Sequence, residues 1–155
     1  MATKFIQSEL IRVPYKEVDG TEIPTDVHIP LGKATSDHEL APVLIMCHGG
    51  GFILGWSRMN NADTIDDCLE RGWIVLSIEY RLCPGVDLLQ GPITDARDVL
   101  RWVQTGGLAT ALEKASISIR PDPSRVMAMG ASAGGHLALS MVSQYLMTPL
   151  LTSND

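Results

Sequence analysis

The sequence predicts an α/β fold: a mostly parallel sheet covered by helices on both faces. Three observations carry this expectation. Apolar runs of strand length occur at 42–47, 73–78 and 125–129. Segments with apolar residues every three or four positions lie between and after them. Glycine clusters directly follow the first and third runs, where a buried strand must turn into its next element.

The N-terminal region comes first. Residues 4–13 and 21–29 are rich in strand formers, and Asp19-Gly20 lies between them. Asp-Gly between such runs is a hairpin signal, because both residues accept the positive φ that a tight turn needs. A β-hairpin is therefore expected within residues 1–30, followed by a polar loop over 32–39. The run Pro42-Val43-Leu44-Ile45-Met46-Cys47 is continuously apolar, as a strand buried on both faces would be. Residues 60–71 predict a helix with Ile65, Cys68 and Leu69 on one side and Gly72 as its stop. The second buried strand covers 73–78. Residues 92–104 predict a helix, with Ile93, Ala96, Val99, Leu100 and Val103 on one face. A third strand at 125–129 precedes an apolar helix over 133–147. The whole reads as one domain over 1–155, with a βαβαβα core at 42–147. Alternation of strands and helices argues for a parallel sheet.

Bulk properties narrow the function. Hydrophobic residues make up 45% of the 155, enough for a core. The net charge is −6, and no Lys/Arg cluster supplies the basic face of a nucleic-acid binder. No apolar run is long enough to span a bilayer, and the N-terminus lacks the features of a signal peptide. The three cysteines have no zinc-ligand spacing and are expected to be free thiols, so a cytoplasmic location is expected. No cofactor or metal is expected.

Two motifs carry chemistry. Gly130-Ala131-Ser132-Ala133-Gly134 matches G-x-S-x-G between a strand and a helix, the context in which the serine sits on a sharp, exposed turn. Its helix N-terminus favours a developing negative charge. His48-Gly49-Gly50-Gly51 follows the first buried strand. Three successive glycines each cost about 1 kcal/mol in ordering relative to alanine. They let backbone N–H groups converge on one small space, as an oxyanion hole requires. His48 precedes the glycines and is expected, with Gly49, to support the loop rather than to act as a base.

Together His48-Gly49-Gly50-Gly51-Phe52, Tyr80-Arg81-Leu82-Cys83-Pro84 and Gly130-Ala131-Ser132-Ala133-Gly134-Gly135 resemble the hallmarks of the hormone-sensitive-lipase-like carboxylesterases of the α/β-hydrolase superfamily. Asp95-Ala96 with Arg101-Trp102-Val103 resembles the helix before the nucleophile strand. The resemblance runs from about 43 to 146. It implies that Ser132 is the nucleophile and that Gly50, Gly51 and Ala133 form the oxyanion hole, with a small-molecule ester as substrate and no cofactor. Cys83 stands where the family has alanine, and Gly85 where it has an acidic residue.

The family's Asp or Glu and His follow the nucleophile on later loops. Here the 23 residues after Ser132 hold one histidine, His136, and one carboxylate, Asp155. His136 lies one helical turn beyond the serine, where packing or capping is expected of it; His28 and His38 are expected at the surface. The chain therefore reads as the N-terminal part of an α/β-hydrolase lacking the triad acid and base, and is expected to be inactive alone. The strand at 125–129 would be a sheet edge, open to self-association or to a complementing C-terminal polypeptide. The alternatives are a non-catalytic small-molecule-binding protein on the same fold, as plant gibberellin receptors are, or an inert truncated product. Tyr15, Phe52 and Trp56 are candidates for an acyl site, with packing an equal alternative.

Overall fold

The computed structural model describes residues 8–31 and 40–151, with the backbone alone described for 144–151. The hairpin forms from β1 (Ser8–Val18) and β2 (Thr21–Pro30), paired antiparallel from Ser8↔Pro30 to Val18↔Thr21. Both turn residues are left-handed, Asp19 at φ 50° and Gly20 at φ 76°, which matches the twist of the strands they join. β1 continues past Val13, where the sequence suggests it ends, to Val18. The stretch after Val13 contains Pro14, and the register shifts between Pro14 and Lys16 to accommodate it.

The parallel strands are β3 (Ala41–Cys47), β4 (Ile74–Ile78) and β5 (Pro121–Gly130). The sheet order is β1-β2-β4-β3-β5. β2 runs antiparallel to β4, whereas β3 is parallel to both β4 and β5. The hairpin thus extends the parallel core.

Two faces of this sheet are buried, which explains the apolar run of β3 and, Ser77 apart, of β4. Val43, Ile45, Cys47, Ile74, Leu76 and Ile78 belong to the larger core. Leu44, Met46 and Val75 pack with Ile65 and Leu69 on the other side. The smaller layer is α1 (Ala62–Glu70), capped by Asn61, whose side chain accepts from the Thr64 amide at 2.8 Å. The larger layer contains α2 (Thr94–Gln104), α3 (Gly107–Lys114) and α4 (Ala133–Leu151). A π-helical turn at Leu89–Ile93, containing Pro92, leads into α2.

The sequence reading assigned no element to α3. Gly106-Gly107 reads as a loop, and the helix is short. Gly106 does break the chain, at φ 91°, but Leu108 and Leu112 one turn apart are fully buried and hold the segment helical. The core between β3 and α4 therefore has one helix more than the expected βαβαβα.

β5 lies at the end of the strand order, with no partner beyond it among the described residues. Met127 and Met129 are 54% and 47% exposed. On α4, Leu137 and Met141 are buried, while Leu139 is 72% exposed. Because β3, β4 and β5 are parallel, the loops after all three emerge at one edge of the sheet. Crevices at that edge are where open α/β sheets bind ligands.

Candidate active site

The turn between β5 and α4 places Ser132 at φ 54°, a left-handed conformation that a residue with a side chain adopts only under constraint. The constraint is visible. A Cβ on Gly134 would collide with the Cys47 carbonyl, and one on Gly130 would strike the backbone of Gly134. Small residues therefore let the turn seat tightly on the end of β3, leaving Ser132 exposed. The amides of Gly134 and His136 bond to Ala131 O at 2.9 Å and Ser132 O at 3.2 Å, closing the first helical turn. Ala133 is the first residue of α4, where a backbone N–H has no acceptor within the helix.

The glycine loop arrives beside this turn. A Cβ on Gly49 would stand 3.2 Å from Ala131 O and 3.8 Å from the Ser132 Cβ. Gly50 (φ 121°), Gly51 (φ 62°) and Phe52 (φ 66°) are all left-handed in succession. Gly50 O accepts from the amides of Ile53 and Leu54 at 3.1 and 3.2 Å, curling the loop. No backbone acceptor is recorded among the described residues for the amides of Gly50 and Gly51. The structure thus brings together the two segments that the sequence singled out.

His48 is buried and stacks on Tyr80, with ring centroids 4.2 Å apart. The Tyr80 hydroxyl donates to His48 O at 2.8 Å. His48 Nδ1 lies 2.7 Å from Gly49 O and 3.1 Å from the Tyr80 oxygen. Since the phenolic proton goes to the carbonyl, Nδ1 carries the imidazole proton and donates to Gly49 O. Nε2 is buried without a hydrogen-bond partner among the described residues. Burial raises the pKa of Tyr80, so the phenol stays protonated and remains a donor. His48 is thereby engaged within the loop.

The other candidates are placed differently. His136 is exposed on α4 and its ring meets Phe52 edge-on at 5.8 Å; its imidazole makes no hydrogen bond to Ser132. His28 is half-buried in β2, not at the surface, because that strand lies inside the sheet beside β4. His38 lies outside the described residues. Tyr15 is buried, and its hydroxyl donates to Glu79 O at 2.8 Å, which removes it as an acyl-site candidate. Trp56 is exposed, and Phe52 is half-buried against the core. The Cys47 thiol is pushed up to about 12 by burial, so it is no nucleophile at neutral pH. Cys68 and Cys83 are also free.

One functional neighbour was missed in the sequence. Asp95, 0% exposed, accepts from the Arg81 amide at 2.9 Å, from its Nε at 3.0 Å and from its terminal nitrogen at 2.8 Å. Lys16 Nζ adds a contact at 2.7 Å. Both Arg81 and Asp95 stand in quoted motifs, but nothing in their spacing signals that they pair.

With this geometry in view, the likeness to known proteins can be weighed. The family model described as BD-FAE matches residues 26–148. The chain belongs to the BD-FAE family. This BD-FAE chain is 29% identical to a bacterial heroin esterase, with a TM-score of 0.70 over 90% of its own length and 40% of the esterase. A thermophilic esterase of Thermogutta terrifontis, 23% identical, shares the fold at a TM-score of 0.65 over 84% of this chain and 42% of its own. The mixed five-stranded sheet with its helices is thus an esterase-like α/β-hydrolase fold. A non-reducing polyketide synthase of Stereocaulon alpinum is 41% identical over 128 residues, 83% of this chain and 5% of the synthase. One of Aspergillus terreus is 39% identical over 127 residues, again 5% of the synthase. The BD-FAE chain therefore spans about two-fifths of the esterase lengths and about a twentieth of the synthases. No helix among its described residues is long and apolar enough to cross a membrane.

Proposed function

We propose that the chain carries the nucleophile and oxyanion-binding part of a serine hydrolase acting on carboxylic esters. One observation supports this most: the strained, exposed Ser132 stands against Gly49 at the head of the triple-glycine loop. In the proposed reaction, Ser132 Oγ forms a bond to the ester carbonyl carbon, and the carbonyl electron pair moves onto oxygen. The amides of Gly50, Gly51 and Ala133 receive that oxyanion. Collapse expels the alcohol and leaves an acyl-serine, which water then hydrolyses. Losing one such donor costs about 3 kcal/mol of barrier in other hydrolases.

The serine proton needs a base. No described histidine brings its imidazole into a hydrogen bond with Ser132, and a serine without a base is a weak nucleophile. The 155 residues alone are therefore expected to turn over slowly, with the base coming from a complementing polypeptide at the open edge of β5. Labelling with a fluorophosphonate probe tests the reading. Slow labelling of the chain is expected, abolished by Ser132→Ala and accelerated by addition of a complementing C-terminal polypeptide. Labelling that survives Ser132→Ala would overturn it.

A second reading follows from the synthase likeness, which exceeds in identity the likeness to the heroin esterase. Here the acyl group is a polyketide chain held as an ester or thioester. Comparison of an acyl N-acetylcysteamine thioester with the matching p-nitrophenyl ester separates the two. Faster acylation of Ser132 by the thioester, relative to its own hydrolysis in buffer, favours the second.

A further inference from the structure

The segment Tyr80–Cys83 grips the glycine loop at both ends. At the upstream end, Tyr80 donates to His48 O at 2.8 Å and stacks on the His48 ring. At the downstream end, the Cys83 amide donates to Phe52 O at 2.8 Å. Gly49, Gly50 and Gly51 hang between these two fastenings. Three consecutive glycines have little conformational preference of their own, so a fixed arrangement of their amides must be imposed from outside.

The gripping segment is itself fixed at one place. Arg81, between the two fastenings, gives Asp95 its backbone amide and two guanidinium hydrogen bonds. Its terminal nitrogen also reaches Gln90 O at 2.7 Å. Asp95 is fully buried at the start of α2, and Lys16 Nζ bridges it to Asp98 at 2.7 and 2.6 Å. A buried carboxylate with this many charged donors holds its partners in a single geometry, because any other arrangement leaves a charge unpaired.

We propose that Tyr80 and Asp95 are positioning residues for the oxyanion hole, Tyr80 acting through His48 and Asp95 through Arg81 and Cys83. The assignment rests on the esterase reading for its catalytic meaning, but the mechanical link does not. Neither residue touches the reacting atoms. Each limits how far the amides of Gly50 and Gly51 stray from the site where the oxyanion forms.

The test follows amide hydrogen exchange at Ile53, Leu54 and Cys83, whose N–H groups bond within this assembly. The protein is the 155-residue chain, as Tyr80→Phe and Asp95→Asn variants. Asp67→Asn serves as a control, removing an exposed ion pair on α1. Exchange at the three amides is expected to rise at least tenfold in Tyr80→Phe and Asp95→Asn, with β3 and β4 unchanged and no effect in the control. The pre-steady-state burst with p-nitrophenyl acetate is read in parallel, where acylation should slow at least tenfold with KM unchanged. Unchanged exchange in both variants overturns the proposal, as does a loss of protection spread equally over β3 and β4. Should Asp95→Asn fail to fold, Tyr80→Phe decides alone, since it removes only a hydroxyl. A local rise in exchange together with probe labelling that survives Ser132→Ala supports the positioning link while defeating the esterase reading.

Discussion

Gly134 lies so close to the carbonyl oxygen of Cys47 that no side chain fits between them. This contact joins the turn after β5 to the end of β3, and the partner atoms are backbone. Gly134→Ala therefore has nothing flexible to displace. Its cost is expected at the upper end of overpacking effects, about 3 kcal/mol or more. Gly72→Ala is the comparison: φ is 81° but nothing lies within 4 Å, so only the left-handed backbone is penalised, at about 1 kcal/mol. Urea denaturation of the two variants should separate them by at least about 1 kcal/mol; equal midpoints would refute the tight seating.

The left-handed backbone of Ser132 is a stored cost at the site. Ser132→Gly relieves it and is expected to hold or raise stability by about 0.5 to 1 kcal/mol while abolishing probe labelling. Ser132→Ala abolishes labelling without that relief. A lower urea midpoint for glycine than for alanine would show that the turn is not strained.

Exposed methionines on a strand with no partner beyond it among the described residues invite pairing with another chain. Sedimentation of the described fold is expected to show concentration-dependent association through β5. The double variant Met127→Lys with Met129→Lys should shift it to monomer, since both side chains are about half exposed and face away from the larger core. Association undiminished by the two lysines would place the contact elsewhere.

Burial holds the His28 pKa below its ordinary 6.5, although Asp26 and Asp66 pull the other way. Between the depressed value and 6.5 the unfolded chain binds a proton that the folded chain does not. The contribution of His28 is therefore complete above about pH 6.5 and is lost as pH falls through that window. His28→Gln should flatten the fall in urea midpoint between pH 7 and pH 5. Asp26, whose pKa is lowered by Ser57 and Arg12 against the effect of its own burial, acts only below its ordinary 3.8. An identical slope in the variant would remove His28 from the account.

Much of this architecture was legible because its signals are local. The run at β3 is apolar at every position and that at β4 at all but Ser77, and the glycines after β3 and at the end of β5 have steric jobs that can be read one residue at a time. The helix α1 announces its start with Asn61 and its stop with Gly72. What could not be read depends on partners distant in sequence. Lys16, Arg81 and Asp95 meet only after the hairpin, a loop and α2 have come together. Tyr15 reads equally as an acyl-site or a packing residue until Glu79 O claims its hydroxyl. α3 was hidden because Gly106 and Gly107 outweigh two leucines on a propensity scale, whereas burial of those leucines outweighs the glycines in the fold.

The order β1-β2-β4-β3-β5 has one more consequence. From β3 the chain winds outward to β4, then returns across β3 to lay down β5 on the opposite flank. The connection leaving β3 leads to α1 on the smaller-core face, and the one leaving β5 leads to α4 on the larger-core face. Gly49 and Ser132 meet where those two connections part. The strand order, rather than either motif, sets this meeting point, so the side chains around it are free to vary while its place in the fold is kept.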